Sequence, residues 1–215
     1  MGDTTARLDA FTDAAFAFAV SLLVIGGARA PDAIEELLVA LGDIPAFAVG
    51  FAIMAMFWLG HVRWRRLRGG TGHWLPTFLT LLLVFLTLIY VQPLRAMANA
   101  TGLWFTGQGA GFRGDVADLF AVYGTGFVLM ALTMAALYVE ALASSSLSPE
   151  QSAEARGERG IWAILAVTGT LSILVSLTVY GQWAALLYAT LPVTIGLFTH
   201  WHGWSGEEFP ERAAE

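Results

Sequence analysis

Apolar residues run along this chain in six long stretches separated by short polar ones. The stretches lie at roughly 10–28, 45–63, 74–96, 116–141, 161–180 and 183–202. A helix that crosses a bilayer needs about 20 mostly apolar residues, so the pattern predicts six spanning helices. The breaks between them are of different kinds. Gly26-Gly27 and Pro31 stop the first stretch, and Asp32, Glu35, Glu36 and Asp43 make the next connection acidic, a short and partly helical loop. Gln92-Pro93 predicts a kink or end to the third. Residues 97–115, rich in Gly, Asn and Thr and containing Trp104 and Phe105, read as a flexible loop, and Ser144 to Gly160 as a polar connector. Only Gly181-Gln182 separates the last two stretches, which predicts a tight antiparallel hairpin. Residues 1–203 thus form one six-helix transmembrane domain, and 204–215 a polar C-terminal tail.

Composition strengthens the membrane reading. The chain is 57% hydrophobic and 13% charged, against about 25% charged residues in a soluble domain. With no cysteine there is no disulfide and no thiolate metal site. A formal charge of −6 disfavours nucleic acid as a partner; the lipid bilayer is the partner that composition implies. All eleven basic residues are arginine, and their placement predicts orientation. With six spans, Arg7, Arg63, Arg65, Arg66, Arg68, Arg156, Arg159 and Arg212 fall on one side, and Arg29, Arg95 and Arg113 on the other. Both termini are then cytoplasmic, in a plasma or inner membrane, and the acidic loop 32–43 lies outside. Arg7, an apolar run and Ala28-Arg29-Ala30 also resemble a secretory signal with its cleavage site. Asp9 and Asp13 stand where such a signal carries positive charge, and removal would spoil the arginine asymmetry.

The first stretch is unusual because it opens with charge: Arg7, Asp9 and Asp13 precede a run that is apolar or small apart from Ser21. Ionisable groups at membrane depth are costly and face a bundle interior or an aqueous path. At 100° per residue Phe18, Leu22 and Ile25 share a stripe, with Phe11 one heptad earlier and Asp13 about 140° away. If the stripe faces a central axis, Asp13 faces helices of its own subunit, where Arg7 or His61 can neutralise it. Periodicity alone favours the simpler alternative, a stripe packed on helices or lipid with the charges at the interface.

The residues Arg7, Phe11, Thr12 and Asp13 spell R-x-x-x-F-T-D. This resembles the R-x-x-x-F-S-D opening of the first helix in the prokaryotic and lysosomal potassium channels called transmembrane protein 175, with Thr12 keeping the hydroxyl. FWLGHVR (Phe57 to Arg63) is similar to the family's His-bearing end of helix two, and WLPTFLTLLLVFL (Trp74 to Leu86) to its third helix, where Pro76 replaces a common Asn. The resemblance implies an all-α membrane protein with six transmembrane helices per subunit, assembled as a homotetramer whose first helices line the pore. It implies passive potassium-selective or potassium-preferring conduction through hydrophobic constrictions, with potassium as permeant ion and no cofactor. It places the constriction at Phe18, Leu22 and Ile25, where Phe18 is bulkier than the family's usual Ile or Leu. Ser21 takes a pore hydroxyl position, and Arg7, Phe11, Thr12, Asp13 and His61 are scaffold. A proton-coupled secondary transporter and a non-conducting assembly protein are the alternatives; the ionisable Asp13, His61 and Glu140 lie near helix ends, away from mid-membrane.

Other motifs carry less. YGTGF (Tyr123 to Phe127) looks like a carbonyl-lined potassium filter, but it sits inside a continuous apolar stretch, so Gly124 and Gly126 predict close helix packing instead. WRRLR (Trp64 to Arg68) reads as an orientation signal. His200 and His202, two apart, point away from each other on a helix and make no zinc set; His61 and His73 flank the basic turn. Glu140 reads as an interfacial residue. No catalytic constellation appears, and an enzyme is not predicted.

Overall fold

The computed structural model describes residues 2–25, 32–42, 44–69, 74–105, 116–143 and 147–201. They form α1 (Gly2–Ile25), α2 (Ile34–Gly42), α3 (Ile44–Arg68), α4 (Trp74–Phe105), α5 (Val116–Ala143), α6 (Pro149–Ser176), a 3₁₀ segment (Gly181–Thr190) and α7 (Leu191–Trp201). The protein is an all-α, multi-pass membrane protein. Four described helices are long and apolar enough to cross a bilayer: Phe47–Arg68, Trp74–Met97, Ala117–Ala143 and Pro149–Ser176. Gly26 to Pro31, Asp43, His73, residues 106–115, 144–146 and 202–215 lie outside the described residues, and with them Arg29, Arg113 and His202.

Several boundaries differ from the sequence expectation, each for a local reason. α6 begins within the stretch read as a connector, because Ser148 caps it. The Ser148 Oγ accepts from the Gln151 N–H at 3.2 Å, the Gln151 side chain accepts from the Ser148 N–H at 2.9 Å, and Pro149 needs no partner at the first helical position. α4 runs through Pro93 to Phe105, so Gln92-Pro93 does not end it. α3 extends past His61 to Arg68 and stops at Gly69, whose φ of +66° suits glycine and whose N–H reaches the Arg65 carbonyl at 3.2 Å. The last apolar stretch divides into the 3₁₀ segment and the short α7. The 3₁₀ segment turns back on α6, held by a bond from the Ser172 hydroxyl to the Ala184 carbonyl at 3.1 Å.

The core lies among α3, α4, α5 and α6. α5 and α6 share the largest contact, α5 also packs on α4, and α1 rests on α3 and α4. Aromatic rings fill the centre: Phe57 meets Trp162 at 5.1 Å and Phe127 edge-on at 5.7 Å, and Tyr90 lies 5.4 Å from Tyr123. The YGTGF run is helical, within α5. A Cβ on Gly126 would stand 2.5 Å from the Tyr90 ring and one on Gly124 2.7 Å from Ile173, so these glycines admit α4 and α6 to close range.

Candidate functional site

α1 and α3 run antiparallel. Asp9, near the start of α1, meets Arg65 near the end of α3; Asp13 meets Trp58; and Leu23 approaches Gly50 near the start of α3. Against α3 and α4, α1 presents Thr12, Ala15, Phe16, Ala19 and Leu23, a buried stripe at helical spacing with two alanines that permit close approach. The opposite face, with Phe11, Ala14, Ala17, Phe18, Ser21 and Val24, is exposed.

The residues expected to line a pore occupy different parts of that surface. Phe18 is 57% exposed. Ser21 is exposed and donates to the Ala17 carbonyl at 2.9 Å, which leaves its oxygen lone pairs outward. Leu22 sits at the border of the face and packs partly on the core. The Ile25 backbone closes α1, and its side chain lies outside the described residues.

The charged start of α1 has partners other than those read from the sequence. The Asp13 carboxylate accepts from the Trp58 indole N–H at 2.8 Å, so neither Arg7 nor His61 is its direct partner. Arg65 Nε donates to Asp9 at 2.7 Å. Arg7 and Phe11 are exposed. Thr12 is fully buried, and its hydroxyl donates back to the Leu8 carbonyl at 2.9 Å. His61 is buried against α4, its Nε2 3.3 Å from the Thr80 hydroxyl and its ring 5.2 Å from that of Trp64. Asp9, Asp13, His61, Val62, Arg65 and Arg66 line an open cleft of about 240 Å³ between α1 and α3.

The basic end of α3 is a hub. Arg65 holds α1, Arg63 reaches Glu158 on α6 at 2.9 Å, and the Arg68 Nε–H is shared by both oxygens of Glu140 on α5 at 2.9 Å. The Arg68–Glu140 pair is the most buried, with side chains 7% and 12% exposed. Buried pairs of this kind need good geometry to offset desolvation, and losing one partner strands the other charge. Tyr138 adds a neutral tie, its hydroxyl donating to the Gly60 carbonyl at 2.9 Å. Sequence reasoning missed Trp58, Glu158 and the pairing role of Glu140. The available signal was that the arginine run and these acids all fall at one end of alternating helices. Among the described residues no group of three His, Asp or Glu side chains is placed to hold a metal ion.

Residues 7–90 match the family model described as endosomal/lysosomal potassium channel TMEM175. A protein of Marivirga tractuosa described as a potassium channel is 32% identical over 98 residues, which are 46% of this chain. The matched stretch spans 39% of that relative's length. The fold is shared with the crystal structure of a variant of the potassium channel MtTMEM175, solved in complex with a nanobody fusion. That superposition has a TM-score of 0.76 at 22% identity and covers 92% of this chain and 93% of the other.

Proposed function

We propose, from the match of residues 7–90 to the TMEM175 family model, that this chain is the subunit of a potassium-conducting channel. Four copies surround a central axis, each contributing α1 to the pore. The chain spans the membrane six times, counting α1 and the continuous run of the 3₁₀ segment into α7 with the four longer helices, and both termini are cytoplasmic.

One observation carries this reading: the face of α1 turned away from its own subunit mixes large apolar side chains with small ones and a hydroxyl. Phe11, Phe18 and Val24 are exposed there, but so are Ser21 and two alanines, and Asp13 stands at its edge. Lipid has no use for small side chains gathered around an outward hydroxyl. A narrow pore does. Phe18, Leu22 and Ile25 supply the constriction, where size and the cost of dehydration discriminate among cations. The outward lone pairs of Ser21 replace part of an ion's hydration shell. Arg7, Phe11, Thr12, Asp13 and His61 hold the helix in place, with Asp9–Arg65 and Asp13–Trp58 as the clamp.

Potassium and sodium flux into liposomes holding the purified protein tests this. Potassium influx should exceed sodium influx, and Leu22→Ala or Ile25→Ala should raise sodium influx relative to potassium. Unchanged flux and selectivity in both variants would remove α1 from the pore. Flux that requires a proton gradient would favour a coupled carrier.

A further inference from the structure

Where α4, α5 and the 3₁₀ segment meet, three tyrosines converge in the interior of the subunit. Tyr90 comes from α4, Tyr123 from α5 and Tyr188 from the 3₁₀ segment. The Tyr123 ring stands between the other two, 5.4 Å from that of Tyr90 and 5.8 Å, edge-on, from that of Tyr188. Glycines make the room. Gly126 admits the Tyr90 ring, and a Cβ on Gly169 of α6 would lie 3.8 Å from the Tyr188 hydroxyl. The channel reading gives this cluster no task.

Its polar ends set the cluster apart. Tyr90 is 1% and Tyr123 7% exposed, and both lie within stretches able to span the bilayer. The hydroxyl oxygens of Tyr90 and Tyr188 are fully enclosed, yet neither makes a well-formed hydrogen bond to a described group. Each has another hydroxyl close by, that of Tyr123 for Tyr90 and that of Ser172 for Tyr188, without the geometry of a direct bond. The Ser172 hydroxyl is already donated to the Ala184 carbonyl. Burial alone does not leave hydroxyls in this state. Thr12 and Thr133 donate one turn back along their own helices at 2.9 and 2.8 Å, and Tyr138, equally buried, donates to the Gly60 carbonyl at 2.9 Å.

An enclosed hydroxyl without a partner is costly, and more so at membrane depth, where bulk water is absent. The chemistry of the cluster selects what relieves that cost. Phenols both donate and accept, and no carboxylate stands among them to hold a cation. Hydrocarbon offers no hydrogen bond. Water does, and a buried water typically makes about three, the number that three converging phenols supply. We infer that Tyr90, Tyr123 and Tyr188 hold a buried structural water that bridges their hydroxyls. The ten-residue 3₁₀ segment packs on α5 and α6, and 3₁₀ runs longer than about three or four residues are uncommon. The water extends the hold on this segment to α4. The inference uses the fold of one subunit and does not depend on conduction.

Radiolytic hydroxyl labelling of the purified protein in detergent tests it, because radicals formed at a bound water attack the side chains around it. Tyr90 and Tyr123 should be oxidised several-fold faster than Tyr138. After brief mixing with oxygen-18 water, the oxygen added at Tyr90 should still be mainly oxygen-16, while that added at the exposed Tyr180 should be oxygen-18. Labelling of Tyr90 as slow as that of Tyr138 would overturn the inference by showing a dry cluster. Prompt oxygen-18 at Tyr90 would overturn it by showing a site open to bulk water. Tyr90→Phe gives a second reading. Removal of one of the water's partners should lower the melting temperature by a few degrees. An unchanged or higher value would mean that the hydroxyl had no partner, and would overturn the inference as well. Neither measurement involves ion flux, so both are independent of the fate of the channel reading.

Discussion

α1 and α5 are both long apolar helices with one face in the protein and one face out, and their outer faces differ. On α5 the exposed large residues are Val122, Leu129, Leu132 and Val139. The one exposed hydroxyl beside them, Thr125, is donated to the Ala121 carbonyl, the same back-bond that Ser21 makes on α1, and Asp118 is exposed in the first turn. Past that turn the surface is dominated by large aliphatic side chains, which suits hydrocarbon. α1 exposes Phe11, Phe18 and Val24 among Ala14, Ala17 and Ser21, with Asp13 at the border. The inner faces differ as well. α5 is buried on aromatic and methionine side chains from three helices, whereas α1 is held by a narrow stripe in which Phe16 and Leu23 stand among Thr12, Ala15 and Ala19, and by two polar ties. A helix built for lipid is bound tightly and finished smoothly. α1 is bound lightly and carries small side chains and a hydroxyl among its exposed apolar ones, which is what the proposed pore role draws on.

The largest expected effect falls on the tightly held side. Arg68→Ala leaves Glu140 buried without its cation, so the melting temperature in detergent should fall by the equivalent of about 3–5 kcal/mol, while Arg68→Ala with Glu140→Leu should recover part of that loss. Next comes Gly126→Val, which forces side-chain atoms into the Tyr90 ring and should cost about 1–3 kcal/mol in the same melt. Trp58→Phe deletes the bond to Asp13 and keeps the ring. A loss of about 1.5–3 kcal/mol is the upper range for a bond to a charged group, and partial exposure of the pair puts the expected value at or below its lower end. Tryptic cleavage after Arg7 should become faster, since the start of α1 loosens.

The two smallest predictions set the outer faces against each other. Phe18→Ala and Leu132→Ala both truncate an exposed side chain, and each should shift stability by no more than about 0.5 kcal/mol. Only Phe18→Ala should change flux, raising sodium relative to potassium. If Leu132→Ala changes the ratio as much, the distinction between the two faces is wrong.

How far the sequence revealed this protein varies by element. The helices at 45–63, 74–96 and 116–141 were legible because long apolar runs leave the backbone no other way to satisfy its hydrogen bonds in lipid. The packing role of Gly124 and Gly126 was legible for the same reason: a continuous apolar helix cannot also be an extended filter. The early start of α6 was written as Ser148-Pro-Glu-Gln151, a capping box obscured by the polar composition around it. The passage of α4 through Pro93 was not legible, because packing of the flanking turns decides whether a proline ends a helix or sits within it.

At the candidate site, the sequence by itself determined that a charged motif opens an apolar first helix and that most arginines gather at one end of alternating spans. It also determined that Phe18 and Ser21 lie on the helix surface away from Thr12 and Phe16, since helical periodicity alone sets those directions. Only the tertiary structure decided which charge meets which. Arg63, Arg65 and Arg68 lie within six positions, yet they reach α6, α1 and α5 respectively. Their angular separation around α3 has meaning only once three neighbours stand around it. The partner of Asp13 was settled in the same way, because an indole N–H on the adjoining turn of α3 was nearer than either cation that the sequence offered.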